Sequence, residues 1–211
     1  MAGQLRGADL VTGALVRAGL GPVYTLSGNH VMPVFDAALG TPLDLIHVRH
    51  EAACVHMADA HGRLTGAAGV ALVTGGPGHG NAVGALLTAE AGESPLVLLS
   101  GHAGLSELGR GAFQETNQVA MAAPACKAAW LARDTATLAH DIARAIRTAR
   151  SGRPGPVHIS LPFDVLEKRV EETAALWPVV AAFAPVPLPL GMATADAILA
   201  EIAVSTRPLI L

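Results

Sequence analysis

The stretch Val70-Ala71-Leu72-Val73-Thr74-Gly75-Gly76-Pro77-Gly78-His79-Gly80-Asn81, with the residues of helical period that carry it to Ala91, decides the fold class. Its first four residues are an unbroken apolar run, the composition of a strand buried on both faces. The glycines at 75, 76, 78 and 80 then mark a tight turn that hands the chain directly to a helix. Strand, turn and helix make half of a βαβ unit, whose strands run parallel. The pattern repeats outward in both directions. Apolar runs of strand length lie at 22–26, 43–48, 70–74, 96–100, 127–131 and 157–161. Between them, helical period occupies about 8–18, 29–39, 51–64, the glycine loop to 91, and 137–149. Gly19 and Gly40 stand where the first two helices should stop, and Asn29 where the second should be capped. These runs predict an α/β domain: a parallel six-stranded sheet with helices on both faces.

Composition agrees with such a core. Of 211 residues, 51% are hydrophobic and 15% charged, with mean hydropathy +0.44, which excludes a disordered chain. Fourteen Lys and Arg against seventeen Asp and Glu leave no basic surplus for nucleic acid. Arg144, Arg147, Arg150 and Arg153 recur at spacing three and read as the solvated side of a helix. Cys54 and Cys126 lack the spacing of a zinc site or a disulfide framework and read as small buried hydrophobes. Gln4, Arg6, Asp9 and Arg17 interrupt the first twenty residues, unlike a signal peptide, and no apolar run approaches the roughly 20 residues of a membrane span. A cytoplasmic protein without nucleic-acid or membrane partners is expected.

After Pro162 the character changes. Pro178, Pro185, Pro187 and Pro189 punctuate a stretch with little charge, which reads as an extended linker wrapping back over the domain. Helical period returns at 192–204, and 207–211 resembles the start of a strand. The expected division is a domain at 1–168, a linker at 169–190, and the truncated start of a second domain at 191–211.

Taken one at a time, the polar residues leave several chemistries open. The glycine loop follows a strand and opens a helix, where backbone amides can hold an anion, but it lacks the Lys-Ser/Thr of a P-loop and the spacing of GxGxxG. It also reads, with less weight, as a close helix–strand turn. His50-Glu51 opens another helix, yet the next histidine is His56, so HExxH is not met, and a carboxylate there also reads as a helix-capping group. His56 and His61 lie five apart, off the helical neighbour spacings.

Several segments together go further. In order and spacing, Arg49-His50-Glu51-Ala52-Ala53, Met57-Ala58-Asp59-Ala60, Thr65-Gly66, the loop from Val73 to Gly78 with Asn81, and Gly111-Ala112-Phe113-Gln114-Glu115 resemble the N-terminal pyrimidine-binding domain of thiamine diphosphate enzymes. The pattern is most similar to the acetolactate (acetohydroxyacid) synthase branch, with its RHE, GPG-x-x-N and FQE segments, and Gly152-Arg153-Pro154-Gly155-Pro156-Val157 looks like that domain's closing strand. The resemblance covers about Leu5 to Leu166.

It implies that Glu51 is the catalytic acid, hydrogen-bonded to N1′ of the aminopyrimidine so that the exocyclic nitrogen removes the C2 proton. That task needs a partly desolvated carboxyl group able to share a proton. Gly28, Thr74, Pro77, Gly78, Asn81 and Gln114 would bind the pyrimidine end of the coenzyme, while Phe113, His30 and His79 would line the substrate pocket. Lys127 would match a lysine at the entrance of the synthase active site, but reads as easily as the start of an exposed strand edge. The implied reaction is decarboxylation of a 2-oxo acid, with or without carboligation, the coenzyme serving as electron sink. The family holds Mg²⁺ and the diphosphate with a GDG motif, and no GDG occurs in this sequence. No metal ligand is therefore expected in this chain. The diphosphate half would come from another domain or a partner in a homodimer, leaving the chain inactive alone, and FAD stays open. His79-Gly80 in place of Ala-Thr, and Ser27-Gly28-Asn29-His30 in place of a proline-glycine turn, leave the particular 2-oxo acid open. The alternatives are a non-catalytic, partner-binding subunit or remnant, and a Rossmann-like module unrelated to thiamine.

Overall fold

A computed structural model describes residues 3–209. In chain order the elements are β1 (Gln4–Arg6), α1 (Gly7–Arg17), β2 (Val23–Thr25), α2 (Met32–Ala38), β3 (Leu45–His47), α3 (Glu51–Thr65), β4 (Gly69–Val73), α4 (Pro77–Ala91), β5 (Leu96–His102), α5 (Gln118–Ala122), β6 (Ala128–Leu131), α6 (Leu138–Arg150), β7 (Pro156–Pro162), α7 (Phe163–Glu167), β8 (Arg169–Glu171) and α8 (Met192–Val204). Strands β2 to β7, each within or overlapping a run read from the sequence, form one parallel sheet in the order β3-β2-β4-β5-β7-β6.

Strand alternation divides the core in two. Val70, Leu72, Val97, Leu99, Val157 and Ile159 face α1, α2, α6 and α7, whose Leu10, Leu15, Val34, Ile142, Ile146 and Leu166 complete that layer. Ala71, Val73, Leu96 and Leu98 face α3, α4 and α5, where the partners are smaller: Cys54, Ala58, Ala82, Ala85, Leu86 and Ala122. Small side chains let α3 approach the sheet closely. A Cβ on Gly69, the first residue of β4, would overlap the Ala58 carbonyl, and one on Gly62 would lie 2.5 Å from the Pro95 carbonyl. Because backbone cannot yield there as a side chain would, Gly69→Ala is expected to cost about 3 kcal/mol, read as a lowered urea midpoint at unchanged slope.

The departures from expectation have local causes. The second helix begins as a 3₁₀ turn, Asn29–Val31, and becomes α-helical only from Met32. Pro33 has no N–H to return to the Asn29 carbonyl, so an α-helix cannot run through from 29. Strands β1 and β8, which the apolar runs do not reveal, pair antiparallel beside the main sheet. They are three residues each and carry Arg6, Arg169 and Glu171, with Arg6 held by Asp9 and Asp36. The stretch from 169, read as a linker wrapping back over the domain, packs against its body. Leu176 and Phe183 enter the core, and Trp177 packs on Gly13 under the Arg17 guanidinium, 4.0 Å from its ring centre. Helix α8 buries no residue. In the run read as an incipient strand, Arg207 to Leu209 form none, and Ile210 and Leu211 lie outside the described residues. Among the described residues no helix is long and apolar enough to cross a membrane.

Candidate functional site

The sheet order sets the site. From β2 the chain moves to the edge strand β3 and then returns across β2 to β4, so the loops after β2 and β4 diverge at the carboxyl ends of neighbouring strands. That switch point is where open parallel sheets take ligands. The two loops touch there, since a Cβ on Gly28 would overlap the Thr74 side chain.

Glu51 reaches this point from the first turn of α3. His50 caps the helix in extended conformation, its Nδ1 accepting the Ala52 N–H at 3.2 Å. The positive end of the helix dipole favours a carboxylate at the next position. Glu51 is half-buried, and its Oε2 accepts a hydrogen bond from Asn81 Nδ2 at 3.0 Å, thirty residues away on α4. Among the described residues no protein donor lies on Oε1. That oxygen lies over Gly78, where a Cβ would stand 3.1 Å from it and 2.7 Å from Thr74 Cγ2. Only glycine leaves the face of the carboxyl group open.

The same loop carries Gly76 at φ +59, ψ −116, a conformation that side-chain-bearing residues rarely adopt, as the N-cap of α4. Pro77 follows at the first helical position, where its missing N–H is not needed, and is exposed. Gln114 closes over Gly76 so tightly that a Cβ there would lie 2.6 Å from Gln114 Cβ, and Gln114 itself has φ +57. Backbone in such regions persists only where its surroundings hold it.

His30 forms the other wall. Its Nδ1 lies 3.4 Å from Thr74 Oγ1, and its ring stacks on Phe113 with centres 5.8 Å apart and planes 19° from parallel. Burial pushes the imidazole below its ordinary pKa, so the ring is neutral near pH 7. Phe113 itself is 67% exposed, with one face on the buried His30 ring.

Glu51, Gly78, Asn81, Thr74, Gly28, His30, Phe113 and Gln114 are therefore contiguous, with Pro77 at the rim. His79 is not part of that wall. It is fully buried between α4 and the sheet, its Nδ1 2.8 Å from Ser100 Oγ and its Nε2 3.1 Å from the Gln118 carbonyl. One residue after Gly78 on a helix, its side chain turns toward the sheet rather than the cleft, so the expected pocket role does not fit its placement. Lys127 is also misplaced by the resemblance. It precedes β6, at the opposite end of a parallel sheet, and its Nζ binds the Thr148 and Ser151 carbonyls. Arg144 stacks over Trp130 and Arg153 pairs with Glu93, both away from the cleft. Among the described residues no group of three or more His, Cys, Asp or Glu is arranged to hold a metal.

One framework residue escaped sequence reading. Gln118, 1% exposed, accepts the Gly76 N–H and donates to the Gly101 carbonyl and Ser160 Oγ. A lone glutamine between Asn117 and Val119 carries no motif, and α5, only five residues long, has no measurable period. A cavity of about 590 Å³ lies on the outer side of this segment, lined by His102, Leu108, Glu115 and Leu131 among others, and does not include Glu51.

The family model for the thiamine pyrophosphate enzyme, N-terminal TPP binding domain, matches residues 5–121, which contain every residue of this wall. The chain belongs to that family. As a thiamine pyrophosphate-binding domain it is 40% identical to the acetolactate synthase isozyme 3 large subunit of Escherichia coli over 177 residues, 83% of this chain and 30% of that protein. It is 38% identical to the acetolactate synthase large subunit of Buchnera aphidicola subsp. Acyrthosiphon pisum over 165 residues, 78% of this chain and 29% of the relative. It is 39% identical to the 2-hydroxyacyl-CoA lyase 2 of Danio rerio over 160 residues, 76% of this chain and 26% of the relative. The domain thus spans 26–30% of the length of these proteins.

Proposed function

We propose that this chain supplies the pyrimidine-binding half of a thiamine diphosphate enzyme that decarboxylates a 2-oxo acid and passes the remaining acyl unit to an acceptor. One observation carries the reading: Glu51 holds Oε2 on Asn81 and leaves Oε1 open over a residue with no side chain. A carboxyl group fixed by one oxygen and free at the other suits a heteroaromatic nitrogen that must share its proton. When bound, thiamine diphosphate supplies the nucleophilic carbon and the electron sink. Glu51 holds the proton at Oε1, Asn81 fixes the carboxyl plane, and Gly28, Thr74, Pro77, Gly78 and Gln114 shape the walls around the ring. His30 and Phe113 face the substrate side, where a neutral imidazole and an aromatic ring exclude water without adding charge.

Relatives named as an acetolactate synthase and as a 2-hydroxyacyl-CoA lyase stand at nearly equal identity, so the likeness selects the coenzyme before the substrate. Mg²⁺, and with it the diphosphate it would bind, is assigned to a second domain or to a partner in a dimer, since the oxygen ligands that Mg²⁺ needs are not gathered at Glu51. A cytoplasmic location is part of this reading, and two free cysteines, as a reducing compartment keeps them, support it. Saturable binding of thiamine diphosphate with Mg²⁺ to the full-length protein, with CO₂ release from pyruvate or another 2-oxo acid, is the expected result. Binding without CO₂ release would favour a non-catalytic subunit, and no binding would remove the proposal.

A further inference from the structure

We propose that Gln118 is a positioning residue for this site, its buried carboxamide clamping Gly76 in the backbone conformation that sets Gly78 and Asn81 against Glu51. Burying a primary amide costs free energy unless its oxygen and both hydrogens find partners. Here they do. Oε1 accepts the Gly76 N–H at 2.9 Å, and Nε2 donates to the Gly101 carbonyl and to Ser160 Oγ, each at 3.1 Å. The Gln118 main-chain carbonyl accepts from His79 Nε2 at 3.1 Å. One side chain and its own carbonyl therefore join the loop after β4, the end of β5, the middle of β7 and the first turn of α4.

Two of these partners are the glycines that abut the cleft. Gly76 packs under Gln114, and Gly101 packs under His30, where a Cβ would lie 2.5 Å from His30 Cβ. Glycine at 76 is free to take many other conformations, and α4 has no side-chain cap to select this one. The Gly76 N–H finds its acceptor on Gln118 instead. Two residues on, Gly78 lies against Glu51 Oε1, and five residues on, Asn81 donates to Glu51 Oε2. A loop freed at Gly76 would carry both contacts away from the carboxyl group. The consequence for coenzyme chemistry rests on the reading of Glu51 above, whereas the clamp itself does not.

The test uses the ¹⁵N-labelled 211-residue chain without coenzyme and reads two signals, hydrogen exchange at the Gly76 amide and the side-chain amide resonance of Asn81. In Gln118→Met, similar in size but without hydrogen-bonding groups, Gly76 should exchange at least about tenfold faster and the Asn81 signal should move toward that of an asparagine amide not bonded to Glu51. Gln118→Glu keeps an oxygen for Gly76 but replaces the donor to the Gly101 carbonyl by an acceptor, so it should restore slow exchange only where its carboxyl group is protonated. Ser160→Ala removes one acceptor of Nε2 and should leave both signals near wild type. If Gln118→Met does not fold, Gln118→Asn, one methylene shorter, tests the same loss of reach. Unchanged signals in both Gln118→Met and Gln118→Asn would overturn the proposal. So would a freed Gly76 with Asn81 undisturbed, or Ser160→Ala reproducing both changes. Failure of the thiamine reading would instead show as wild-type protein that does not bind the coenzyme while these amide signals behave as stated.

Discussion

Glu51→Gln, in a full-length protein supplied with thiamine diphosphate and Mg²⁺, is expected to slow exchange of the coenzyme C2 proton by about 10²–10⁴-fold. Glutamine matches glutamate in size, and its amide oxygen can still accept from Asn81 Nδ2, so the local packing between α3 and α4 is retained. What disappears is an oxygen able to give and take back a proton over Gly78. Coenzyme affinity should change much less than the exchange rate, because the walls around the ring are left in place. Quenched-flow deuterium exchange read by proton NMR separates the two quantities. Equal exchange rates in wild type and variant, at full coenzyme occupancy, would show that Glu51 is a helix-capping carboxylate and nothing more.

The second large effect is a loss of stability in mild acid. His79 is fully buried, and burial pushes its imidazole down to about 4, with the Gln118 carbonyl opposing and repulsion between it and His102 acting in the same direction as burial. His158, whose ring centre lies 4.5 Å from that of His79, is pushed well below the ordinary range for the same reason. A histidine whose pKa is lower in the fold than in the unfolded chain binds its proton preferentially when unfolded. Its contribution is therefore complete above about pH 6.5 and is lost as the pH falls toward 4. For His79 alone the shift from 6.5 to about 4 corresponds to about 2 kcal/mol lost by pH 5 and about 3 kcal/mol by pH 4. His158 adds to the loss with the same sign. Urea midpoints of wild type and His79→Gln at pH 7, 5 and 4 should converge as the pH falls, since the variant has no proton to gain there. Parallel midpoints across that range would mean that the buried ring is already protonated or that acid opens the domain elsewhere.

Much of the fold was legible because a strand buried on both faces has to be apolar throughout, and the runs at 70–74, 96–100 and 157–161 leave no other reading. The pairings β2–β4 and β5–β7 were not legible, because nothing in an apolar run names its neighbour. Strands β1 and β8 escaped for a different reason: with three residues each, and Arg6, Arg169 and Glu171 among them, they are too short and too charged to show an apolar run. In the site, Glu51 and the Gly76-Pro77-Gly78 turn stood out as local patterns, but the bond from Asn81 to Glu51 spans thirty residues.

By itself, the amino-acid sequence determined the fold class, the family and the segments that meet at the cleft, because hydrophobic run length, helical period and motif spacing are properties of neighbours along a chain. Only tertiary structure decided which side chains reach the cleft. His79 sits beside Gly78 in sequence yet points into the sheet, Lys127 lies at the opposite edge, and Gln118 enters the framework from a segment with no pattern at all. Those placements depend on which strand lies next to which and on the turn of a helix above them, and that geometry exists only once the distant parts of the chain have packed together.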